Sequence, residues 1–305
     1  MTRELTRKTV VVMGTGVMAP GVAAACAVSG AAVRIVGRDR SRAEEAARAA
    51  TALGANGVHA AELEAPAFAD ADLVIETVIE DAKVKRALLA RLESWLAPEA
   101  VIATNTSSLP IGGLAEALGR PERFAGLHFM NPAHLTLIVE VIAGPATSES
   151  TVAALSDFAG TLGKQPLVVR KDVPGFLWNR LQFALLRECL HLLDEGIADV
   201  EAIDAAITDG LAPRWVAAGP LATADLGGIA TFALISEGLF PHLATTPDVS
   251  RQLAGRAGAG TGFYRWTDQQ RSAIAGIRGE TISRQRDLAE RRRAVRPSPT
   301  VAGQD

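Results

Sequence analysis

Through the first half of the chain, short apolar runs alternate with amphipathic stretches of helical period. The runs are Val10 to Met13, Val33 to Val36, Leu73 to Ile79, Val101 to Thr104, Leu127 to Met130 and Val139 to Ile142. Alternation of this kind predicts an α/β fold, a doubly wound parallel sheet with helices on both faces. Between the third and fourth runs, Val84, Leu88, Leu92 and Leu96 recur every four residues, which places them on one face of a helix closed by Pro98. After Lys171 the alternation stops. Helical patterns take over from Pro174 through Phe176, Leu177, Leu181, Phe183, Leu186, Leu190 and Leu193. The expected division is a sheet domain over 1–171 and an all-helical domain over 172–305, with a charged helix from Thr267 to Arg293 and a disordered tail over 294–305.

Composition narrows the partners. A chain of 305 residues is long enough for two domains that each bury a core. With 34 acidic against 31 basic residues the net charge is -3, too balanced for a nucleic-acid or membrane-surface protein, so a small molecule is the expected partner. The two cysteines, Cys26 and Cys189, lie in apolar helical stretches and read as buried, inert thiols of a reducing cytosol. No stretch has the length of a membrane span and the first residues lack a signal peptide's apolar region, so a soluble, cytoplasmic protein is expected.

The first apolar run leads directly into Gly14, Gly16 and Ala19, spaced G-x-G-x-x-A, and then into a helix of small residues from Val22 to Ala27. The first glycine permits a tight turn, the second lets backbone approach a pyrophosphate, and the small third residue lets helix pack on strand. Phosphate charge then meets the unpaired N–H groups of the helix N-terminus. Strand, turn and helix stand where a Rossmann-type dinucleotide site needs them, with Gly14, Gly16, Val17 and Met18 as candidate cofactor contacts. Pro20 falls in the first helical turn, where its missing N–H costs little. The second run ends in Gly37 and Arg38, where an NAD site usually carries an acid for the ribose hydroxyls. A missing side chain followed by Arg38, Arg40 and Ser41 offers room and cationic donors to a ribose 2′-phosphate, so NADP(H) is expected ahead of NAD(H). The alternative is a solvated loop in which Asp39 serves the ribose.

Hydride transfer at a carbinol needs a group to exchange the hydroxyl proton, most often an oriented histidine. His128 follows the strand-like AGLHFMNP, and Glu140 sits alone in the apolar run LIVEVI, where an unpaired carboxylate is expensive to bury. On adjacent strand ends the two satisfy each other, although the pattern alone fits a structural buried pair equally. Reading His128, His134 and Glu140 as metal ligands is weaker, since no helical His-x-x-x-His spacing supports it, and no metal is expected.

The segment from Ala71 through ETVIEDAKVKRALLARLESWLAPEAVIATNTSSLPIGGLAEALGRPERFAGLHFMNP, then IVEV and DVPGFLWNRL, resembles the L-3-hydroxyacyl-CoA dehydrogenase family, the likeness running from Val10 to Trp266. The stretches NRLQFALLRECLHLLDEGI, DGLAPRWVAAGPLATADLGG and GFYRW are more similar to its L-gulonate 3-dehydrogenase and lambda-crystallin branch. The resemblance implies a catalytic set of His128, Glu140, Ser107 and Asn179. His128 is the general acid/base polarised by Glu140, while Ser107 and Asn179 hydrogen-bond the reacting oxygen and the neighbouring carbonyl. It places Glu80 and Lys85 at the nicotinamide ribose, and has Asn105 and Asn131 line the same site. Taken singly, Ser107 is a turn residue before Pro110 and Asn179 a polar residue of a first helical turn. All four catalytic positions are filled in order.

Three departures bear on the substrate. Leu137 stands where family members acting on coenzyme A carry a lysine, only 35 positions separate Gly37 from Asp72 where they insert a helical hairpin, and the ribose acid is missing. The expected substrate is a 3-hydroxyacyl or 3-oxoacyl group on a coenzyme A or carrier-protein thioester. The alternatives are a free 3-hydroxy acid, as in the gulonate branch, and a non-catalytic dinucleotide-binding structural protein. Apolar content beyond what the helical domain can bury, together with the family's habit, implies a homodimer through the second, substrate-binding domain.

Overall fold

A computed structural model describes residues 9–295. The described residues divide into two compact units, the first ending at Arg180 and the second beginning at Leu181. The first carries an eight-stranded sheet in the order β3-β2-β1-β4-β5-β6-β7-β8. Its strands are β1 (Thr9–Met13), β2 (Ala32–Gly37), β3 (Val58–Glu62), β4 (Leu73–Glu76), β5 (Val101–Thr104), β6 (Phe124–Phe129), β7 (Ile138–Ile142) and β8 (Gln165–Val169). All neighbours pair parallel except β6 with β7. The order reverses between β1 and β4, so the carboxyl ends of these two strands flank the crevice where open α/β sheets bind ligands.

Alternate residues of each strand feed two cores. Val10 and Val12 of β1 face one layer, with α1 (Met18–Ala27), α2 (Arg40–Ala52) and α5 (Glu149–Thr161). Val11 and Met13 face the other, with α3 (Ala82–Glu93) and α4 (Ile111–Ala115). Both faces of the central strands are covered, which is why these strands read as mainly apolar runs.

Four details differ from the sequence expectation. The strands β3 and β8 are not among the expected runs because they are the two sheet edges, half exposed and built from VHAAE and QPLVV, with apolar stretches of only two or three residues. The Leu73 to Ile79 run leaves the sheet after Glu76, and Ile79 is 67% exposed. In α3 the buried face is Lys85, Leu89 and Leu92, whereas Val84 is exposed. Steps of four residues overshoot a helical turn by about 40°, so the Val84-to-Leu96 stripe winds off the face, and α3 ends at Glu93, ahead of Pro98. Cys26 is fully buried, its thiol pushed up to about 12 by burial against the opposing charge of Lys164, but Cys189 is only partly covered. Between β2 and β4 the chain holds α2, β3 and a short 3-10 turn at Ala65–Ala67.

The helix α6 (Trp178–Asp194) leads into the second unit, which continues with α7 (Val200–Ala205), α8 (Ala212–Ala217), α9 (Pro220–Gly227), α10 (Ile229–Leu239), α11 (Arg251–Ala259) and α12 (Asp268–Val295). The last is the expected charged helix. It includes Ala294 and Val295, and the rest of the expected tail lies outside the described residues. Among the described residues no helix is long and apolar enough to cross a membrane.

Candidate active site

The glycine turn sits at the carboxyl end of β1. Gly14 has φ +132°, its N–H donates to the Val36 carbonyl (2.9 Å), and a Cβ there would lie 2.6 Å from Thr77 Oγ1. No other residue fits that conformation and that space. A Cβ on Gly16 would meet nothing within 4 Å, so the turn is open where a pyrophosphate approaches. Ala19 is fully buried, Met18 half-buried and Val17 88% exposed beside the crevice. The N-terminus of α1 has no side-chain cap and no acidic residue in its first turn, which, apart from Ala19 N on the Gly16 carbonyl (3.1 Å), leaves its first N–H groups to an anion. These features fit a bound dinucleotide.

At the end of β2 the expected room does not exist as such. A Cβ on Gly37 would lie 2.6 Å from Thr15 Cγ2, so the space vacated by the missing acid is filled by the threonine methyl. Asp39 is exposed and caps α2 through one carboxylate oxygen. Its Oδ1 accepts from Ser41 N (2.8 Å), Ser41 Oγ (2.7 Å) and Arg42 N (3.3 Å), and the Ser41 hydroxyl, followed by the backbone N–H groups of Arg42 and Ser41, holds the carboxyl below the usual range. Arg40 pairs with Glu44 at 3.0 Å, and Arg38 is exposed.

The antiparallel register of β6 and β7 sets His128 opposite Glu140, both buried. His128 Nδ1 and Glu140 Oε2 are 2.7 Å apart. The other carboxylate oxygen accepts from Leu177 N (2.9 Å) and Trp178 N (2.8 Å). Gly175 and Phe176, both with positive φ (77° and 51°), turn the chain so that these N–H groups converge, and the Phe176 ring meets the imidazole edge-on at 5.8 Å. An ionised carboxylate only accepts, so His128 Nδ1 donates and Nε2 is left to face Ser107 Oγ at 3.1 Å. Ser107 is exposed, and its carbonyl accepts from Asn179 Nδ2 (3.0 Å). Glu140, His128 and Ser107 therefore form one connected line from a buried carboxylate to an open hydroxyl, and Asn179 joins it at the Ser107 backbone carbonyl.

Glu80 anchors the Ser107 turn. One of its oxygens accepts from Thr106 Oγ1 (2.5 Å), Ser107 N (2.8 Å), Ser108 N (3.0 Å) and Ser108 Oγ (3.1 Å). Burial pushes its pKa up, but these bonds and the Lys85 charge outweigh that and leave it below the ordinary carboxylate value. Lys85 is 1% exposed and lies beneath the surface, its ammonium 2.8 Å from both oxygens of Glu76 and 3.6 Å from Glu80 Oε2. Asn105 Oδ1 accepts from Phe129 N (2.7 Å) and ties the ends of β5 and β6, while Asn131 is exposed just after β6. His134 does not join His128 and Glu140. Its Nδ1 is without a hydrogen-bond partner, burial and then the Lys164 charge lower its pKa, and no group of three potential ligands gathers among the described residues.

The model of the 3-hydroxyacyl-CoA dehydrogenase NAD-binding domain matches residues 9–173, and that of the C-terminal domain of the same enzymes matches residues 175–268. The chain belongs to the 3-hydroxyacyl-CoA dehydrogenase family. As such it is an oxidoreductase that uses a nicotinamide dinucleotide and acts on a CH–OH group. The 5-formyl-3-hydroxy-2-methylpyridine 4-carboxylate 5-dehydrogenase of Mesorhizobium japonicum is 32% identical over 93% of this chain and 99% of its own. A 3-hydroxybutyryl-CoA dehydrogenase of Bradyrhizobium diazoefficiens is 45% identical over 58% of this chain and 59% of its own. A crystal structure of a 5-dehydrogenase of the same pyridine carboxylic acid, described as an NAD+ dependent dismutase, superposes with a TM-score of 0.87 over 93% of this chain and 99% of that one, at 30% identity.

Sequence reasoning missed Glu76, Thr104, Thr106 and the Gly175–Phe176 turn. Glu76 had a signal. It is the lone acid in the run LVIETVI, open to the same argument that singled out Glu140.

Proposed function

We propose that this family member interconverts 3-hydroxyacyl and 3-oxoacyl groups, with NADP(H) preferred over NAD(H) and the His128–Glu140 pair as general acid/base. The observation that carries the reading is the line Glu140–His128–Ser107, closed by Asn179 on the Ser107 carbonyl. With its pyrophosphate held at the Gly14–Met18 turn, a reduced dinucleotide would supply hydride from its nicotinamide to the 3-keto carbon. Ser107 Oγ and the Asn179 amide orient the keto oxygen and the acyl carbonyl. His128 Nε2 gives a proton to the forming alkoxide, and Glu140 stabilises the imidazolium before that transfer. In the oxidative direction Nε2, unprotonated because Nδ1 is held as donor, takes the hydroxyl proton.

Three features favour NADP(H): Gly37 presents no acid, Asp39 has one of its carboxylate oxygens taken by the cap of α2, and Arg38 is exposed beside it. Charge-assisted bonds to a 2′-phosphate are each worth about 1.5–3 kcal/mol, so kcat/KM is expected to favour NADPH over NADH by roughly tenfold or more. Steady-state rates with each cofactor measure this, and a preference for NADH contradicts it. For the acyl carrier, a coenzyme A or carrier-protein thioester is the first reading. A free 3-hydroxy acid is the second, favoured by the single helix α2 in place of a hairpin and by Leu137. Oxidation of a 3-hydroxybutyryl thioester beside the free acid separates them, and nucleotide binding without turnover on either supports a structural protein instead.

A homodimer is the proposed assembly. The second unit leaves Leu221 and Leu226 of α9 and Leu234 of α10 exposed by 84%, 83% and 70%, apolar side chains that a second protomer would cover. Sedimentation is expected to give twice the chain mass, and a monomer at working concentration contradicts this.

A further inference from the structure

We propose that Glu76 is a positioning residue of this site, holding Lys85 and the 77–80 turn so that Glu80 and Ser107 stand where the cofactor and substrate need them. The inference rests on the dehydrogenase reading above. Glu76 ends β4, fully buried, with Met13 of β1 and Thr104 of β5 as its register neighbours. Its carboxylate accepts from Lys85 Nζ on both oxygens (2.8 Å each), from Thr104 Oγ1 (2.7 Å) and from Val78 N (2.6 Å).

A sheet core does not require such a group. Burying two charges carries a large desolvation cost, and replacing a buried ion pair by apolar side chains of like volume is commonly neutral or stabilising. What this pair does locally is specific. The Val78 N–H bond draws the chain out of the sheet directly after β4, which brings Ile79 and Glu80 to the exposed side. The bidentate contact holds the Lys85 ammonium 3.6 Å from Glu80 Oε2, clear of the oxygen that takes the four donors of the 106–108 turn. That turn aims Ser107 Oγ at His128. Without the Glu76 carboxylate, Glu80 becomes the nearest anion to Lys85, and a shift of Glu80 toward it loosens the anchor of Ser107. Glu76 thus acts on the reaction through two groups beside the crevice while touching neither ligand.

The test compares Glu76→Gln, Lys85→Met and the double variant with the unaltered protein. Cofactor Kd is read by fluorescence of reduced nicotinamide without substrate, with kcat at saturating cofactor and Tm measured alongside. Misplacement by about 1 Å costs up to roughly 10²-fold, so Glu76→Gln is expected to weaken cofactor binding and lower kcat, each by roughly tenfold to a hundredfold. The double variant, with no buried charge left over, is expected to regain Tm but neither Kd nor kcat, and to bind cofactor no more weakly than Lys85→Met alone. If Glu76→Gln does not fold, the double variant carries the test. Cofactor Kd and kcat returning together with Tm would make Glu76 merely structural and overturn the proposal, as would unaltered Kd and kcat in a folded Glu76→Gln. If the unaltered protein turns over none of the 3-hydroxy or 3-oxo compounds, the substrate reading fails, while the comparison of Kd values still decides the role of Glu76.

Discussion

Replacing His128 by glutamine is expected to lower kcat by roughly 10²–10⁴-fold, the usual contribution of a positioned general acid/base. Glutamine fills similar space and keeps a polar end near Ser107, but its amide neither gives nor takes a proton at neutral pH. The substrate oxygen then exchanges its proton with water. Cofactor affinity is expected to stay within about threefold, since the side-chain contacts of His128 run to Ser107, Glu140 and Phe176 and not to the glycine turn. Steady-state kinetics beside a fluorescence titration separates the two effects. Unchanged turnover in a folded His128→Gln protein removes the assignment.

Glu140→Gln is expected to cost a similar factor by a different route. The amide oxygen can still accept from Leu177 N and Trp178 N, which now satisfy one carboxylate oxygen. Its NH₂ then points at His128 Nδ1 and forces that atom to accept. The ring proton moves to Nε2, the wrong tautomer for taking a hydroxyl proton, and no carboxylate remains to stabilise the imidazolium. The fold is expected to survive because each buried donor keeps a partner. Glu140→Leu instead strands both backbone N–H groups and Nδ1, at about 1–3 kcal/mol for each unsatisfied group, and is expected to lower Tm sharply. Activity and thermal melts on the two variants therefore move apart: the first loses rate with little stability, the second loses both. A Glu140→Gln enzyme with the original kcat contradicts the mechanism.

The parts of this molecule legible in sequence are those with a single physical solution. Strands covered on both faces have to be mainly apolar, so β1, β2, β5 and β7 could be placed to within about a residue despite Arg34 in β2 and Glu140 in β7. A turn with Gly14 at φ +132° against Thr77 admits only glycine, and the fingerprint follows from that. Glu140 in LIVEVI demanded a partner, and the antiparallel register supplied His128. The edge strands β3 and β8 carry no such constraint, because one side of each is open to other residues and their sequences are free to be VHAAE and QPLVV. The room at Gly37 could not be judged from a missing side chain, since what fills it is Thr15 from another segment. Lys85 was read from resemblance as a group at the ribose. Its burial on Glu76 became visible only when β4 and α3 were packed together. Ser107 and Asn179 were each ordinary turn and helix residues in sequence, and their joint role rests on the resemblance and on the 3.0 Å bond between them.

The most direct measurement is the oxidation of NADPH by the purified protein in the presence of a 3-oxoacyl thioester, repeated with NADH, with the free 3-oxo acid and with His128→Gln. The expected result is consumption of NADPH matched by formation of the 3-hydroxy compound, slower with NADH and reduced at least about a hundredfold in the variant. Tight binding of NADPH with no consumption on thioester or acid, or equal rates with and without His128, would contradict the account.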